Sequence, residues 1–209
     1  MRFATIVCFG DSNTWGYNAS TAGRLGRSER WPGVLQRELG ADADVIEAGL
    51  NSRTTIFELD GYASSRSGLT ALPLVLETHA PVSILVSFLG ANDLFVPNVG
   101  AGDVAEGARA IVDAALATTW GPDDGPPKVL VVVPPPFGPL RSDWAANCPS
   151  CVAESHRMGE AFATALRESA CALLDLNGLA TPTRLDGLHF DAPEHERIGR
   201  AVASRIRDL

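Results

Sequence analysis

Hydrophobic residues along this chain fall into short uninterrupted runs, separated by stretches in which they recur with helical spacing. The runs are largely β-branched and predict buried strands at residues 4–9, 44–46, 82–89, 128–133 and 172–176. The spaced stretches predict amphipathic helices at residues 31–39, 69–76, 104–116, 158–166 and 198–206. Apolar strands that alternate with such helices are typical of a parallel sheet covered on both faces. The pattern therefore predicts an α/β protein built as a three-layer α/β/α sandwich.

Composition agrees with an ordinary globular chain. The 209 residues are 45% hydrophobic and 20% charged, which is typical of a folded, soluble domain. We find no internal repeat and no linker, so we predict one domain over residues 1–209. No apolar stretch reaches the roughly 18 residues that span a bilayer, and residues 1–12 turn polar too early for a signal peptide. We expect a cytoplasmic protein that does not associate with membranes.

Charge excludes several classes of partner and mechanism. The chain carries 17 basic and 25 acidic residues, a net charge of −8. Nucleic-acid binding depends on basic residues that contact phosphates, so DNA and RNA are not expected as partners. Lys128 is the only lysine, which nearly excludes mechanisms built on a P-loop or Schiff-base lysine.

Polar residues follow the predicted strands, where ligands bind in parallel sheets. Gly10-Asp11-Ser12 comes directly after the first strand, and its serine is a candidate nucleophile. Taken alone, this tripeptide is better explained as a helix N-cap. A nucleophilic serine also requires a base, usually a histidine oriented by a carboxylate.

The chain offers four histidines for that role. His79, His156 and His195 are each expected at the surface, the first at a helix C-terminus. His189 differs because Asp186 lies three residues before it in a glycine-containing turn, so that the carboxylate can fold back onto the imidazole. Without a nucleophile elsewhere, this pair would be better explained as a polar turn.

Hydrolysis through serine further requires donors for the oxyanion. Asn92, in Gly90-Ala91-Asn92-Asp93 after the third strand, offers a side-chain amide, and the loop at residues 47–55 offers backbone amides, including that of Ser52. Each segment alone is better explained as a cap or turn. The four segments nevertheless follow strands one, two, three and five, at the sheet edge that a shared site requires.

Together these motifs resemble the four blocks of the SGNH, or GDSL-type, hydrolase superfamily, which contribute Ser, Gly, Asn and His. Gly10-Asp11-Ser12, Gly90-Ala91-Asn92-Asp93 and Asp186-Gly187-Leu188-His189 match the first, third and last blocks. The second block departs from the pattern, because the family usually has glycine where this chain has Ser52. Residues 6–15, 45–55 and 128–136 are most similar to the mycobacterial-type arylesterase and acyltransferase branch.

The resemblance implies a flavodoxin-like, five-stranded parallel sheet and an acyl-serine mechanism that uses no cofactor and no metal. It assigns Ser12, Asp186 and His189 to a catalytic triad. It assigns the amides of Ser12 and Ser52, together with Asn92, to the oxyanion hole. The branch includes octamers, which makes a homo-oligomer one expectation.

The substrate is expected to be a small ester with a short acyl group, cleaved by water or transferred to an alcohol. Trp15, Phe95 and Leu188 are predicted to supply apolar walls, and Asp11 a further substrate contact. For each aromatic alone, ordinary packing is about as good an explanation. A carbohydrate acetylesterase or a thioesterase on the same fold is an alternative.

Two other classes remain open. Cys148-Pro-Ser-Cys151 has the spacing of a redox dithiol or of half a zinc site. We nevertheless expect reduced loop thiols by default, since a structural zinc site needs about four ligands, and a local disulfide between the two is the alternative. A non-catalytic binding module is the second class, and the joint presence of Ser12, Asn92, Asp186 and His189 argues against it.

Overall fold

A five-stranded parallel sheet forms the centre of the protein. The structure is a computed structural model that describes residues 4–209. Met1–Phe3, the first residues of the segment that is expected not to be a signal peptide, lie outside the described residues. The strands are β1 (Ala4–Gly10), β2 (Ala43–Gly49), β3 (Ile84–Phe88), β4 (Lys128–Val133) and β5 (Ala172–Asp175). Their order is β2-β1-β3-β4-β5. This is the flavodoxin-like order, so the predicted fold class is confirmed.

Helices cover the sheet and its edges. They are α1 (Ser12–Trp15), α2 (Trp31–Leu39), α3 (Gly68–Thr78), α4 (Ala101–Leu116), α5 (Ser142–Asn147), α6 (Cys151–Ser155), α7 (Met158–Ala165) and α8 (Ala192–Arg207). Helix α8 begins six residues before its predicted start because Asp191 caps it, accepting from the Glu194 amide. Among residues 4–209 there is no helix long and apolar enough to cross a bilayer.

Strand residues alternate between two hydrophobic layers. In β1, Ile6 and Cys8 pack in one cluster with α2 and α8. Val7 and Phe9 pack on the opposite face with α3, α4 and α7. A strand whose side chains are buried on both faces shows an unbroken apolar run, which is why the sequence pattern predicts a covered parallel sheet.

Two predicted strands differ from the observed strands by two or more residues at one end, and the first and fifth differ by one residue. The third strand was expected over residues 82–89, but Val82 and Leu89 are buried just outside β3. Residues that flank a strand are also apolar when they are buried, so the sequence pattern does not distinguish them from the strand itself. The second strand, expected over residues 44–46, extends to Ala43–Gly49. Because β2 lies at the sheet edge, its partly exposed positions accommodate Asp44 and Glu47.

His195 corrects a prediction. It was expected at the surface beside Glu194 and Glu196, yet it is fully buried between α8 and α2. Its Nδ1 accepts a hydrogen bond from the Trp31 amide, the first of α2, at 3.3 Å. It shares its helical face with Ile198 and the residues that follow at helical spacing, so the periodicity of α8 outweighs its charged neighbours. His156 is exposed and His79 ends α3, both as predicted.

The carboxyl ends of the central strands are level with one another. Gly10 at the end of β1 pairs with Gly49 on one side and Phe88 on the other. The loops that follow β1, β2 and β3 therefore leave the sheet at one edge. Since the chain order reverses at β1, this edge also holds the crevice in which such folds bind ligands.

Candidate active site

Ser12, His189 and Asp186 form a continuous hydrogen-bonded chain at this edge. Ser12 Oγ lies 2.9 Å from His189 Nε2, and His189 Nδ1 lies 2.7 Å from Asp186 Oδ2. All three side chains are buried. The tautomer with its proton on Nδ1 donates to the carboxylate and leaves Nε2 free to accept from the serine hydroxyl. The structure thus brings together the three residues that the sequence predicted as a triad.

Local sequence explains how Ser12 reaches this position. Asp11 caps the four-residue helix α1, its Oδ1 accepting from the Asn13 amide at 2.8 Å. A Cβ at Gly10 would lie 2.0 Å from Thr14 Oγ1 and 2.7 Å from Phe88 O, so only glycine permits the chain to turn there. The helix cap is therefore Asp11, and the adjacent Ser12 stays the candidate nucleophile.

The Asp186–His189 turn is also set by its sequence. Asp186 Oδ1 accepts from the amides of Leu188 and His189 at 2.9 and 3.0 Å, which leaves Oδ2 for the imidazole. Burial raises the pKa of Asp186, but the hydrogen bonds from His189 and the Leu188 amide outweigh it and hold the pKa below its ordinary value. The carboxylate is therefore charged at neutral pH. Gly187 has a φ of +77°, and its missing Cβ leaves room for Pro139 O.

The three residues predicted to supply oxyanion donors line the same cavity. Within residues 4–209, the backbone N–H groups of Ser12 and Ser52 have no hydrogen-bond acceptor. Asn92 Nδ2 donates to Arg53 O at 2.9 Å and lies farther from Asp11 Oδ2, at 3.5 Å. Ser12, Ser52 and Asn92 all line one cavity. The residues predicted for the oxyanion hole are thus adjacent in space.

This cavity has a volume of about 590 Å³ and opens over Ser12 and His189. Its size suits a small ligand. Its remaining lining divides by chemistry into an aromatic and aliphatic wall and a polar wall. The apolar wall consists of Tyr17, Phe95, Trp144 and Leu188, and the polar wall of Asn51, Ser52, Asp60 and Tyr62, with Leu59 and Asn92 completing the lining.

Phe95 and Leu188 line the cavity as predicted, but Trp15 and Asp11 do not. The Trp15 ring instead faces the guanidinium of Arg24 at 4.9 Å, because the short α1 ends at Trp15 and turns its side chain away. Asp11 is buried behind Ser12. Burial raises its pKa to about 7, and the nearby Asp93 adds to this effect. Trp15 and Asp11, which the sequence predicts as substrate contacts, thus lie outside the lining of this cavity.

Sequence reasoning missed two aromatic residues that flank the candidate base. The ring centroids of Tyr17 and His189 lie 4.4 Å apart, and that of Trp144 lies 6.0 Å from His189 on an edge-on approach. Tyr17 lies in the long segment that follows α1, and Trp144 lies in α5, within the long connection that follows β4. A signal existed, since long loops beyond strand ends often carry binding residues.

Asp93 anchors the Asn92 loop to the loop after β2. Both of its carboxylate oxygens accept from the Thr55 amide, at 3.0 and 3.1 Å, and Oδ1 also accepts from the Thr55 hydroxyl. Burial raises the pKa of Asp93 to about 6, although its bonds to Thr55 oppose this. The contact joins the loop that carries Asn92 to the loop that carries Ser52.

Cys148 and Cys151 form a disulfide, so the expectation of reduced thiols is wrong for this pair. Cys8 and Cys171 are free. Both disulfide sulfurs lie 3.1 Å from Leu94 O, close behind Phe95 of the cavity wall. Among residues 4–209, no group of three or more histidine, cysteine or acidic side chains is arranged to hold a metal ion. The pair is thus placed as a cross-link beside the site.

The chain is similar to solved structures over nearly its whole length. A carbohydrate acetylesterase family member from Sinorhizobium meliloti is 35% identical, with 98% of each chain covered and a TM-score of 0.92. The aryl esterase of M. smegmatis is 31% identical, with 99% of each chain covered and a TM-score of 0.90. Est24, a carbohydrate acetylesterase from Sinorhizobium meliloti, is 28% identical, with 99% of each chain covered and a TM-score of 0.91.

No curated protein sequence matches the chain significantly. The model of the GDSL-like lipase/acylhydrolase family matches residues 8–197, which include every motif of the candidate site. A match over most of the chain, together with the esterase structures above, establishes the family and the hydrolase class. The chain therefore belongs to the GDSL-like lipase/acylhydrolase family.

Proposed function

We propose that this protein is a serine esterase that cleaves small neutral esters with short acyl groups through an acyl-serine. The observation that carries the proposal is the Ser12–His189–Asp186 hydrogen-bonded chain, which opens into the cavity. A serine hydroxyl becomes nucleophilic when a base removes its proton as the new bond forms. His189 Nε2 is within hydrogen-bond distance for that transfer.

The reaction proceeds in two halves. Ser12 Oγ attacks the ester carbonyl carbon while its proton moves to His189 Nε2, and the carbonyl oxygen becomes an oxyanion. The amides of Ser12 and Ser52, with Asn92 Nδ2, donate to that oxygen. The intermediate collapses to the acyl-serine as His189 returns the proton to the departing alkoxide. Water then attacks the acyl carbon by the same route and releases the acid.

The charge of the cavity supports a neutral leaving group. Asp60 stands in the polar wall, and within residues 4–209 no lysine or arginine lines the cavity. An acidic wall repels anionic substrates and offers them no counter-ion. This argues against thioesters of phosphorylated carriers, and so against the thioesterase alternative.

Acyl transfer to alcohols is the finer part of the proposal. The wall of Tyr17, Phe95, Trp144 and Leu188 offers apolar surface to an organic acceptor. An alcohol held there competes with water for the acyl-serine. The polar lining residues Asn51, Asp60 and Tyr62 favour a second candidate, a carbohydrate ester, because hydroxylated leaving groups require hydrogen-bonding partners. The acetylesterase from Sinorhizobium meliloti supports this candidate by its similarity.

The central test compares Ser12→Ala with Ser204→Ala, an exposed serine on α8. With p-nitrophenyl acetate, loss of the nucleophile is expected to reduce kcat by roughly 10⁴-fold or more. Ser204→Ala shows whether removal of a serine hydroxyl away from the site affects turnover. A fluorescent organophosphonate is expected to label the Ser204→Ala protein and not Ser12→Ala. Near-normal turnover by Ser12→Ala would refute the assignment.

Substrate range is tested with matched esters. Acetate is expected to be cleaved faster than octanoate, and acetylated sugars are compared with aryl acetates at equal concentration. Vinyl acetate with benzyl alcohol in water is expected to yield benzyl acetate as well as acetic acid. Faster cleavage of octanoate would contradict the short acyl group, and acetic acid alone would restrict the enzyme to hydrolysis.

A further inference from the structure

Ser52 has a backbone conformation that its side chain disfavours. Its φ is +63°, in the left-handed region. There a Cβ crowds the backbone, so non-glycine residues occupy the region only when other contacts hold them. The superfamily pattern usually has glycine at this position, which adopts that conformation freely. Some contact in this chain must therefore replace the freedom that glycine would supply.

Tyr62 makes the side-chain contact of this kind. Its hydroxyl donates to Ser52 Oγ at 2.9 Å, across the loop that joins β2 to α3. The Tyr62 ring is 46% exposed, so packing on its own holds it only partly. The guanidinium of Arg66 lies over the ring at 4.1 Å, a cation–π contact that favours this ring position.

The loop around this pair is well anchored. The Thr54 amide donates to Arg66 O at 2.9 Å, and the Gly68 amide donates to Thr54 O at 3.0 Å. These bonds close the segment between Ser52 and α3 into a compact unit. Tyr62 therefore projects from a fixed base toward the cavity, whose wall it shares with Ser52.

The conformation of Ser52 matters because of its amide. Within residues 4–209 the Ser52 N–H has no acceptor, and Ser52 lines the cavity beside Ser12 and Asn92. A change of φ at Ser52 reorients its peptide plane relative to the rest of the loop. Donors to an oxyanion are effective only when they are oriented before the reaction begins.

We propose that Tyr62 is a positioning residue for the oxyanion hole, its hydroxyl holding Ser52 in the left-handed conformation that aims the Ser52 N–H at the developing oxyanion. This bond adds to the turn hydrogen bond from the Arg53 amide to Leu50 O, which spans Ser52 at 3.1 Å. The proposal rests on the proposed function, because it takes the Ser52 amide as an oxyanion donor.

The kinetic test is a double-mutant cycle of Tyr62→Phe and Ser52→Gly. Tyr62→Phe keeps the ring and its contact with Arg66 but removes the donor. We expect it to lower kcat for p-nitrophenyl acetate about tenfold, with KM changed less than about twofold, as for a group that acts mainly in the transition state. In the Ser52→Gly background the same substitution is expected to leave kcat unchanged, because glycine needs no support. An equal loss in both backgrounds would show that Tyr62 acts on the substrate directly, which overturns the proposal.

A second measurement does not depend on activity. The three-bond coupling between the amide and α protons of residue 52 reports its φ, and it is measured by NMR in the wild type and in Tyr62→Phe. We expect the coupling to change in Tyr62→Phe; an unchanged value overturns the proposal. If Ser12→Ala keeps full turnover while this coupling still changes, the serine mechanism fails and the structural contact stands, so the two failures are distinguishable.

Discussion

The ring of Tyr17 packs against the imidazole of His189, with centroids 4.4 Å apart and planes inclined by 42°. Tyr17 begins a short hairpin, Tyr17–Asn18 with Gly23–Arg24, in the long loop after α1. That loop is tied to β2 by Glu47, which bonds Arg30 at 2.6 Å and Arg24 at 3.4 Å. Asp186 thus holds the candidate base, His189, at one ring nitrogen, and the Tyr17 ring packs beside the imidazole.

Tyr17 is expected to hold the His189 ring in its working orientation. An aromatic pair contributes about 1 kcal/mol beyond its buried area, which corresponds to a rate change of about fivefold. Tyr17→Leu should therefore lower kcat about fivefold, whereas Tyr17→Phe, which keeps the ring, should stay within about twofold of the wild type. Steady-state kinetics on p-nitrophenyl acetate measures both. Equal losses in the two variants would point to the hydroxyl instead of the ring.

Asn92 is expected to act mainly in the transition state. Removing one oxyanion donor costs about 10²- to 10³-fold in kcat. Asn92→Ala should show that loss with little change in KM, because the ground-state carbonyl gains little from this donor. Asn92→Asp keeps the shape and removes the N–H, so it should lose as much. Thermal unfolding of both variants separates this effect from the lost bond to Arg53 O. An unchanged kcat in either variant would place the oxyanion hole elsewhere.

Asp60 is expected to select against anionic leaving groups. It lines the cavity but is exposed, so its effect on charge is modest and screened by salt. Asp60→Asn should raise kcat/KM for 4-acetoxybenzoate about threefold relative to phenyl acetate at low ionic strength, and the gain should shrink in high salt. A rise of equal size for both esters would show that Asp60 acts by shape and not by charge.

His195 is expected to make the free energy of unfolding depend on pH. Burial lowers its pKa from 6.5 to about 3, with smaller contributions from His189 and Arg30. As pH falls below 6.5 the unfolded chain binds a proton that the folded chain does not, so stability present above pH 6.5 is lost toward pH 3. The slope for one proton is about 1.4 kcal/mol per pH unit.

The matched variant for this prediction is His195→Gln, whose side-chain oxygen can still accept from the Trp31 amide. Urea unfolding of both proteins between pH 4 and pH 8 gives the difference in free energy of unfolding. Subtraction removes the contributions of Asp11 and Asp93, whose raised pKa values act in the opposite direction. We expect the wild type to lose stability relative to His195→Gln below about pH 6.5. A difference that is constant with pH would mean that His195 is protonated equally in both states.

The parts of the protein that rest on local pattern were predictable from the sequence. The apolar runs of β1 and β4 reflect burial on both sheet faces, so they predicted the covered parallel sheet. Asp186 and His189 lie three residues apart in a glycine turn, and their contact is a local one. Ser12, Ser52 and Asn92 were predictable as neighbours because parallel strands end at one edge. Sequence spacing therefore predicted those contacts that the geometry of a single turn or of the strand ends determines.

Contacts between long loops depended on the fold as a whole. Tyr17 and Trp144 meet His189 from loops far apart in the chain, and no short-range pattern encodes the path of such loops. Trp15 has the same aromatic chemistry as Tyr17 and follows the nucleophile more closely, yet the end of α1 directs it to Arg24. The pairing of Ser52 with Tyr62 likewise depends on how the loop between β2 and α3 closes. Residue chemistry determines which contacts are favourable, but the three-dimensional path of the chain decides which of them form.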